Sequence, residues 1–170
     1  MSHLLVDEFD DFFQKIQLGE KQADRIQSAV DALSEYLIKY YSLGPDDYFV
    51  QGSFSTNTVV RPAPSKDGEY DVDIVLFSAE PDFTPDEAIE DLEAALTTNG
   101  NYKDKIEKDD KIPCVRLRYA DEHKAKFHVD IVPAKSNPEG TIEVPRRDGN
   151  WETSSPRAYT EWVLSVADRH

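Results

Sequence analysis

The 170-residue sequence predicts helices packed on a β-sheet, an α/β or α+β arrangement within one domain. Three observations carry that reading. Apolar residues recur at three and four over residues 5–41, the spacing of a helix with one buried stripe. Runs at 114–119 and 126–132 alternate apolar with polar, and Val72, Ile74 and Leu76 share one face of the run at 71–77, the period of two that a strand requires. The elements follow the order helix, strand, short helix, strand, helix, strand, strand, which mixes both types along the whole chain.

Taken in order, Val6, Phe9, Phe13 and Ile16 begin the helical lead, and Ile26, Val30, Leu33, Leu37 and Tyr40 continue it. Leu18-Gly19 interrupts it and divides it in two. Leu43-Gly44-Pro45-Asp46-Asp47 is a loop, because the residue before a proline is pushed out of the α region. Tyr48-Phe49-Val50-Gln51 is a short strand ending at Gly52. Asp71 to Phe77 is the next, with Val72, Ile74 and Leu76 on one face. Thr84-Pro85-Asp86-Glu87 has the form of a helix start, with a threonine cap, a proline in the first turn and a glutamate closing a capping box. Ile89, Leu92 and Leu96 form that helix's stripe, and Gly100 lies past its end. Cys114–Tyr119 and Lys126–Val132 are strands. Residues 137–150, rich in Pro, Gly and charge, read as loop with room for one strand. Ser155-Pro156 opens a last helix bearing Tyr159, Trp162, Val163 and Val166.

Composition narrows the function. With 39% apolar and 11% aromatic residues the chain can bury an ordinary core. Its single cysteine, Cys114, excludes an internal disulfide. No apolar run reaches membrane-spanning length, and the acidic start at residues 1–11 is unlike a signal peptide. These features predict a cytoplasmic protein with no membrane partner. The net charge is −15, against the surplus of Lys and Arg that binding to duplex nucleic acid requires. The charge is uneven: residues 1–102 hold 6 basic and 21 acidic side chains, and residues 103–170 hold 13 of each. This leaves room for a local basic rim of Lys103, Lys105, Lys108, Arg116, Arg118, Lys124 and Lys126.

Three features bear on chemistry. Gly52-Ser53 follows a strand and precedes a possible helix start. Free N–H groups there suit a phosphate, although a lone Gly-Ser is more simply a turn with a cap. Asp71-x-Asp73 places two carboxylates on one strand face. At about 4 Å they repel by about 4 kcal/mol at an effective dielectric of about 20, an arrangement that a hard cation such as Mg²⁺ relieves. Alone, such a pair is more simply a solvated strand face. Asp130 stands in the apolar strand Phe127-His128-Val129-Asp130-Ile131-Val132, where aspartate is depleted. If the two strands are neighbours, the three carboxylates converge in a way that suits two metal ions. His128 shares the face of Asp130 and reads as a hydrogen-bonded strand histidine rather than a catalyst. Trp151 and Tyr159 could stack on a base, but core packing is the simpler expectation for both.

Together, Val50-Gln51-Gly52-Ser53-Phe54-Ser55-Thr56-Asn57-Thr58-Val59-Val60-Arg61-Pro62, Tyr70-Asp71-Val72-Asp73-Ile74-Val75 and Phe127-His128-Val129-Asp130-Ile131-Val132-Pro133-Ala134 resemble the polymerase-β-type nucleotidyltransferases. Within that superfamily the sequence is most similar to the bacterial CD-NTases, which resemble cyclic GMP-AMP synthase and carry a SMODS domain. The resemblance implies an α+β catalytic lobe with a mixed or antiparallel sheet. It divides the chain into an N-terminal helical lead at 1–44, a catalytic core at 45–135 and, at 151–170, the start of a truncated helical lobe. Gly52, Ser53 and Thr58 would bind nucleotide, and Asp71, Asp73 and Asp130 would be the catalytic metal ligands for Mg²⁺ or Mn²⁺. The implied reaction joins ATP and other nucleoside triphosphates into a cyclic oligonucleotide messenger of antiphage defence, releasing pyrophosphate. Regulatory or effector proteins would be partners.

The family's second lobe helps to select the bases and is mostly missing from these 170 residues. The resemblance therefore implies a catalytic lobe or excised fragment rather than a chain active by itself. A transferase modifying RNA or protein, of the toxin–antitoxin type, would share the three aspartates, but the long helical lead argues against it. A non-catalytic nucleotide-binding module would be expected to lack one of the aspartates or the Gly-Ser, and all are present.

Overall fold

The computed structural model describes residues 3–61, 68–107, 113–122, 125–146 and 148–168. The helical lead is two helices, α1 (His3–Ile16) and α2 (Glu20–Tyr41), parted at Leu18-Gly19. Next come β1 (Tyr48–Gln51), the single turn α3 (Gly52–Ser55), β2 (Tyr70–Leu76) and α4 (Pro85–Thr97). A 3₁₀ turn at Lys103–Lys105 leads to β3 (Ile106–Glu107), β4 (Val115–Glu122) and β5 (Ala125–Pro133). The chain continues through β6 (Lys135–Ser136), β7 (Ile142–Pro145), β8 (Trp151–Ser154) and α5 (Pro156–Ala167).

Five strands form one sheet in the order β1-β2-β5-β4-β3. The β2–β5 pair is parallel and every other pair is antiparallel. One face is apolar. Tyr70, Val72, Ile74 and Leu76 of β2 join Phe127, Val129 and Ile131 of β5 and Val115 and Leu117 of β4. Onto it pack Ile26, Val30, Leu33 and Leu37 of α2 and Leu92 and Leu96 of α4, all at most 2% exposed. Period-two alternation then sends the even-numbered polar residues of β4 and β5, and Asp71 and Asp73 of β2, to the opposite face.

Two segments depart from expectation. Residues 135–154 form a second sheet, β6-β7-β8, where the sequence leaves room for one strand. Val75, Ala134 and Ile142, with Phe49, Phe77 and Val144, make a small core that fastens this sheet to the polar side of the main one. Trp151 serves that packing: its Nε1 donates to the Phe83 carbonyl at 3.2 Å, and Lys135 Nζ lies 4.3 Å from its ring centre. The second departure is at the two terminal helices. Val6, Phe9 and Phe13 of α1 and Tyr159, Trp162 and Val166 of α5 are exposed, because no described element lies over either stripe. Tyr159, 62% exposed, is therefore not a core residue.

The capping box at α4 is complete: the Glu87 amide donates to Thr84 Oγ1 at 3.3 Å, and the Thr84 amide to Glu87 Oε2 at 2.8 Å. Thr84→Ala should cost about 1 kcal/mol, a drop of about 2–4 °C in a thermal melt. An unchanged melting temperature would show that the cap contributes nothing.

Candidate active site

Strand register assembles the site. Asp73 on β2 stands opposite Asp130 on the parallel strand β5, with Gln51 of β1 beyond Asp73 and Arg116 of β4 beyond Asp130. In the adjacent row, Asp71 pairs with His128, and His128 with Arg118. The three aspartates thus share the polar face, on adjacent strands that lie about 4.8 Å apart.

Their surroundings differ. Asp130 is 8% exposed and receives a two-pronged guanidinium: Arg116 Nε to Oδ1 at 2.7 Å and Nη2 to Oδ2 at 2.6 Å. That hydrogen bond, more than any other influence, raises the Arg116 pKa. The Asp71 side chain is half exposed and meets His128 Nε2 at 2.9 Å, a contact that holds its carboxyl below the usual range and raises the His128 ring. Asp73 has no such partner among the described residues. Burial, then the charges of Asp71 and Asp130, pushes its carboxyl up to about 6. On the far side of His128, Nδ1 lies 3.1 Å from Glu69 Oε2, and Lys126 Nζ is 2.8 Å from Glu69 Oε1. Burial opposes the ionised Glu69, but the Lys126 and His128 hydrogen bonds hold its pKa below normal.

Gly52 is placed by two constraints. Its φ is +71°, a region that other residues rarely adopt, and a Cβ there would stand 2.5 Å from Asp73 Oδ2. The turn after β1 therefore rests directly against the carboxylate. Gln51, Gly52 and Asp73 line a cleft of about 420 Å³ with Ser154, Ser155, Tyr159 and Thr160. α5 closes its side, Thr160 Oγ1 lying 3.2 Å from Ser55 Oγ. Because α3 is one turn, it offers free N–H groups and little summed dipole.

Ser53 is exposed at the start of that turn. Thr58 is not brought to the cleft. Its hydroxyl lies 2.9 Å from that of Thr56, and it lines a separate cavity of about 730 Å³ beneath α1, mostly apolar with Asp24 as the one charged lining residue. Pro62, Lys108 and Lys124 lie outside the described residues. Three described residues of the basic rim are engaged in ion pairs: Arg116 with Asp130, Arg118 with Glu107 at 2.9 Å, and Lys126 with Glu69.

Sequence reasoning overlooked two residues. Glu69 could have been found, since Glu69, Asp71 and Asp73 share a spacing of two and hence one face. Arg116 could not, because its role depends on which strands become neighbours.

The Asp71, His128 and Asp130 ligand atoms lie within 4.8 Å of one another. Together with the unpaired Asp73, this donor set of anionic oxygens and one imidazole fits a divalent cation.

The chain matches the model of the Second Messenger Oligonucleotide or Dinucleotide Synthetase domain, SMODS, over residues 2–166. It is 26% identical over 160 residues to a c-di-GMP synthase of Roseivirga ehrenbergii, covering 90% of this chain and 41% of that protein. Among solved structures it is similar to the Bradyrhizobium diazoefficiens CD-NTase CdnG in complex with GTP, with a TM-score of 0.66 and 25% identity over 87% of this chain and 43% of that one. It also shares its fold with Vibrio cholerae DncV in complex with a linear intermediate, with a TM-score of 0.68 and 13% identity over 93% of this chain and 60% of that one. The chain thus spans about half the length of these relatives. The α+β fold is that of the polymerase-β-type CD-NTases, and no described helix is long and apolar enough to cross a membrane. With the match covering almost all of its length, the chain belongs to the SMODS family of bacterial CD-NTases.

Proposed function

We propose that these residues form the catalytic lobe of a nucleotidyltransferase that uses Mg²⁺ or Mn²⁺ to join ATP and other nucleoside triphosphates into a cyclic oligonucleotide for antiphage signalling in the cytoplasm. Residues 1–44 are its helical lead, 45–135 its catalytic core and 151–170 the beginning of a helical lobe. The exposed apolar stripe of α5 and the greater length of the relatives support that division.

One observation carries the reading: Asp71, Asp73 and Asp130 meet on the polar face of the sheet, beside a cleft walled by Gly52. Asp71, Asp73 and Asp130 would hold the cation, which when bound supplies positive charge to the phosphates and lowers the pKa of the attacking hydroxyl. Gly52 lets the turn after β1 close onto the Asp73 carboxylate, so that a phosphate bound at this turn sits beside the metal ligands, and the Ser53 hydroxyl can donate to a phosphate oxygen. Attack at the α-phosphate forms one P–O bond as the bond to pyrophosphate breaks. The protein contributes position and fixed charge. The net charge of −15 suits small nucleotides taken up with their cations rather than a duplex.

A thermal-shift measurement with a non-hydrolysable ATP analogue tests this. At a hundred times the dissociation constant, ligand should add about 2.7 kcal/mol, several degrees, only when Mg²⁺ or Mn²⁺ is present. The same shift in Asp73→Asn, or none in the wild type at any metal concentration, would overturn the assignment.

A further inference from the structure

We propose that His128 is a direct ligand of the cation held by Asp71 and Asp130, which gives the site a nitrogen donor and a preference for Mn²⁺ over Mg²⁺. The inference rests on the metal-dependent reading above and adds a ligand and a class of metal to it.

The Asp71–His128 distance is that of neighbouring ligands in a coordination shell. An octahedral ion with bonds of about 2.1 Å puts neighbouring ligand atoms about 3.0 Å apart and opposite ones about 4.2 Å apart. His128 Nε2 and Asp71 Oδ1 are separated by 2.9 Å, a neighbouring-ligand distance, and the three ligand atoms of Asp71, His128 and Asp130 lie within 4.8 Å, slightly wider than the ion spans, so that the set draws together on binding. This convergence is built into the backbone. The parallel register sets His128 beside Asp71, and Asp130, two residues along β5, shares the face of His128.

The surrounding shell points the same way. A metal-bound histidine characteristically donates its other ring N–H to a carboxylate, which fixes the tautomer and orients the ring. Glu69 Oε2 lies 3.1 Å from His128 Nδ1, and the Glu69 side chain is only 10% exposed, held in place by Lys126. With the proton on Nδ1, the Nε2 lone pair faces an oxygen lone pair of Asp71, and a cation between them turns that repulsion into two bonds. Asp130 is steadied in the same manner by Arg116. Among divalent ions, Mg²⁺ favours an all-oxygen shell rich in water, whereas first-row transition ions accept imidazole readily.

The alternative arrangement, with an Nε2–H donating to Asp71, leaves His128 as a clamp that never touches the ion. Pulsed electron paramagnetic resonance separates the two. With Mn²⁺ added to the metal-free chain, a directly bound imidazole gives ¹⁴N modulation of the electron spin echo, and a clamp gives none. The modulation is expected in the wild type and should vanish in His128→Gln, although His3, His123 and His170 remain. Competition against Mg²⁺ should show the preference for Mn²⁺ falling about tenfold in that variant, and Glu69→Gln should weaken Mn²⁺ about 10- to 100-fold while keeping the modulation. Mn²⁺ bound to the wild type without ¹⁴N modulation would overturn the inference and leave the metal-dependent reading intact, and that result needs no variant to fold. If the wild type binds neither Mn²⁺ nor Mg²⁺, with or without ATP, both readings fall.

Discussion

In metal-free buffer at pH 8, Asp73→Asn should melt above the wild-type chain by several degrees, and the gap should shrink as the pH falls from about 6 to about 4. The Asp73 carboxyl is half-buried between Asp71 and Asp130, and its pKa is raised from 3.8 to about 6. Between those values the folded chain keeps a proton that the unfolded chain has released, so stability declines as the pH rises through this window. Above it, ionised Asp73 is a destabilising charge that asparagine removes. A shift of this size corresponds to a few kcal/mol at most. Solvent reaching the cleft reduces the gain to about 1–2 kcal/mol, or about 2–8 °C at this chain length. Added Mg²⁺ or Mn²⁺ should reverse the ranking by stabilising the wild type, which keeps all its carboxylates, more than the variant. Measured by calorimetry across pH 4–8 in EDTA, equal melting temperatures throughout would mean that Asp73 bears no unfavourable charge.

That a residue harms the free chain and is relieved by a cation explains why the site was partly legible in the sequence. Asp71-x-Asp73 and Asp130 stand in strands rich in apolar residues, so the period of two exposed the conflict without coordinates. Gly52 was legible for a similar reason, since a glycine between a strand and a helix start marks a turn. The α4 capping box was legible because all its partners lie within four residues. Whatever depended on distant pairing was not. Arg116 reads as one cation in a basic stretch until β4 and β5 become neighbours and aim it at Asp130. The second sheet escaped notice because β6, β7 and β8 are two to four residues long, too short for alternation to show against the Pro and Gly between them. The apolar stripes of α1 and α5 had the right period for burial, but periodicity says which residues share a face and not what covers it.

The pairing at Asp130 yields the other large expected effect. In EDTA, Arg116→Ala should destabilise the chain by about 2–3 kcal/mol, roughly 5–10 °C. Asp130 is 8% exposed and both its oxygens are engaged by Arg116. Removing the guanidinium leaves a nearly buried carboxylate beside Asp73 with no compensating charge. Breaking a fully buried pair costs about 3–5 kcal/mol, and the smaller figure here reflects the Arg116 side chain, which is 23% exposed. If the loss comes from the stranded anion, Arg116→Ala with Asp130→Asn should recover most of it, whereas a loss of packing would persist in the double variant. Mn²⁺ should also raise the melting temperature of Arg116→Ala more than that of the wild type, because the ion then meets an Asp130 with no cation on it. Should the single variant melt within a degree of the wild type, or the double variant melt no higher than the single, the bidentate pair would not be what holds Asp130 in place, and the third carboxylate would have to be positioned by the β5 backbone alone.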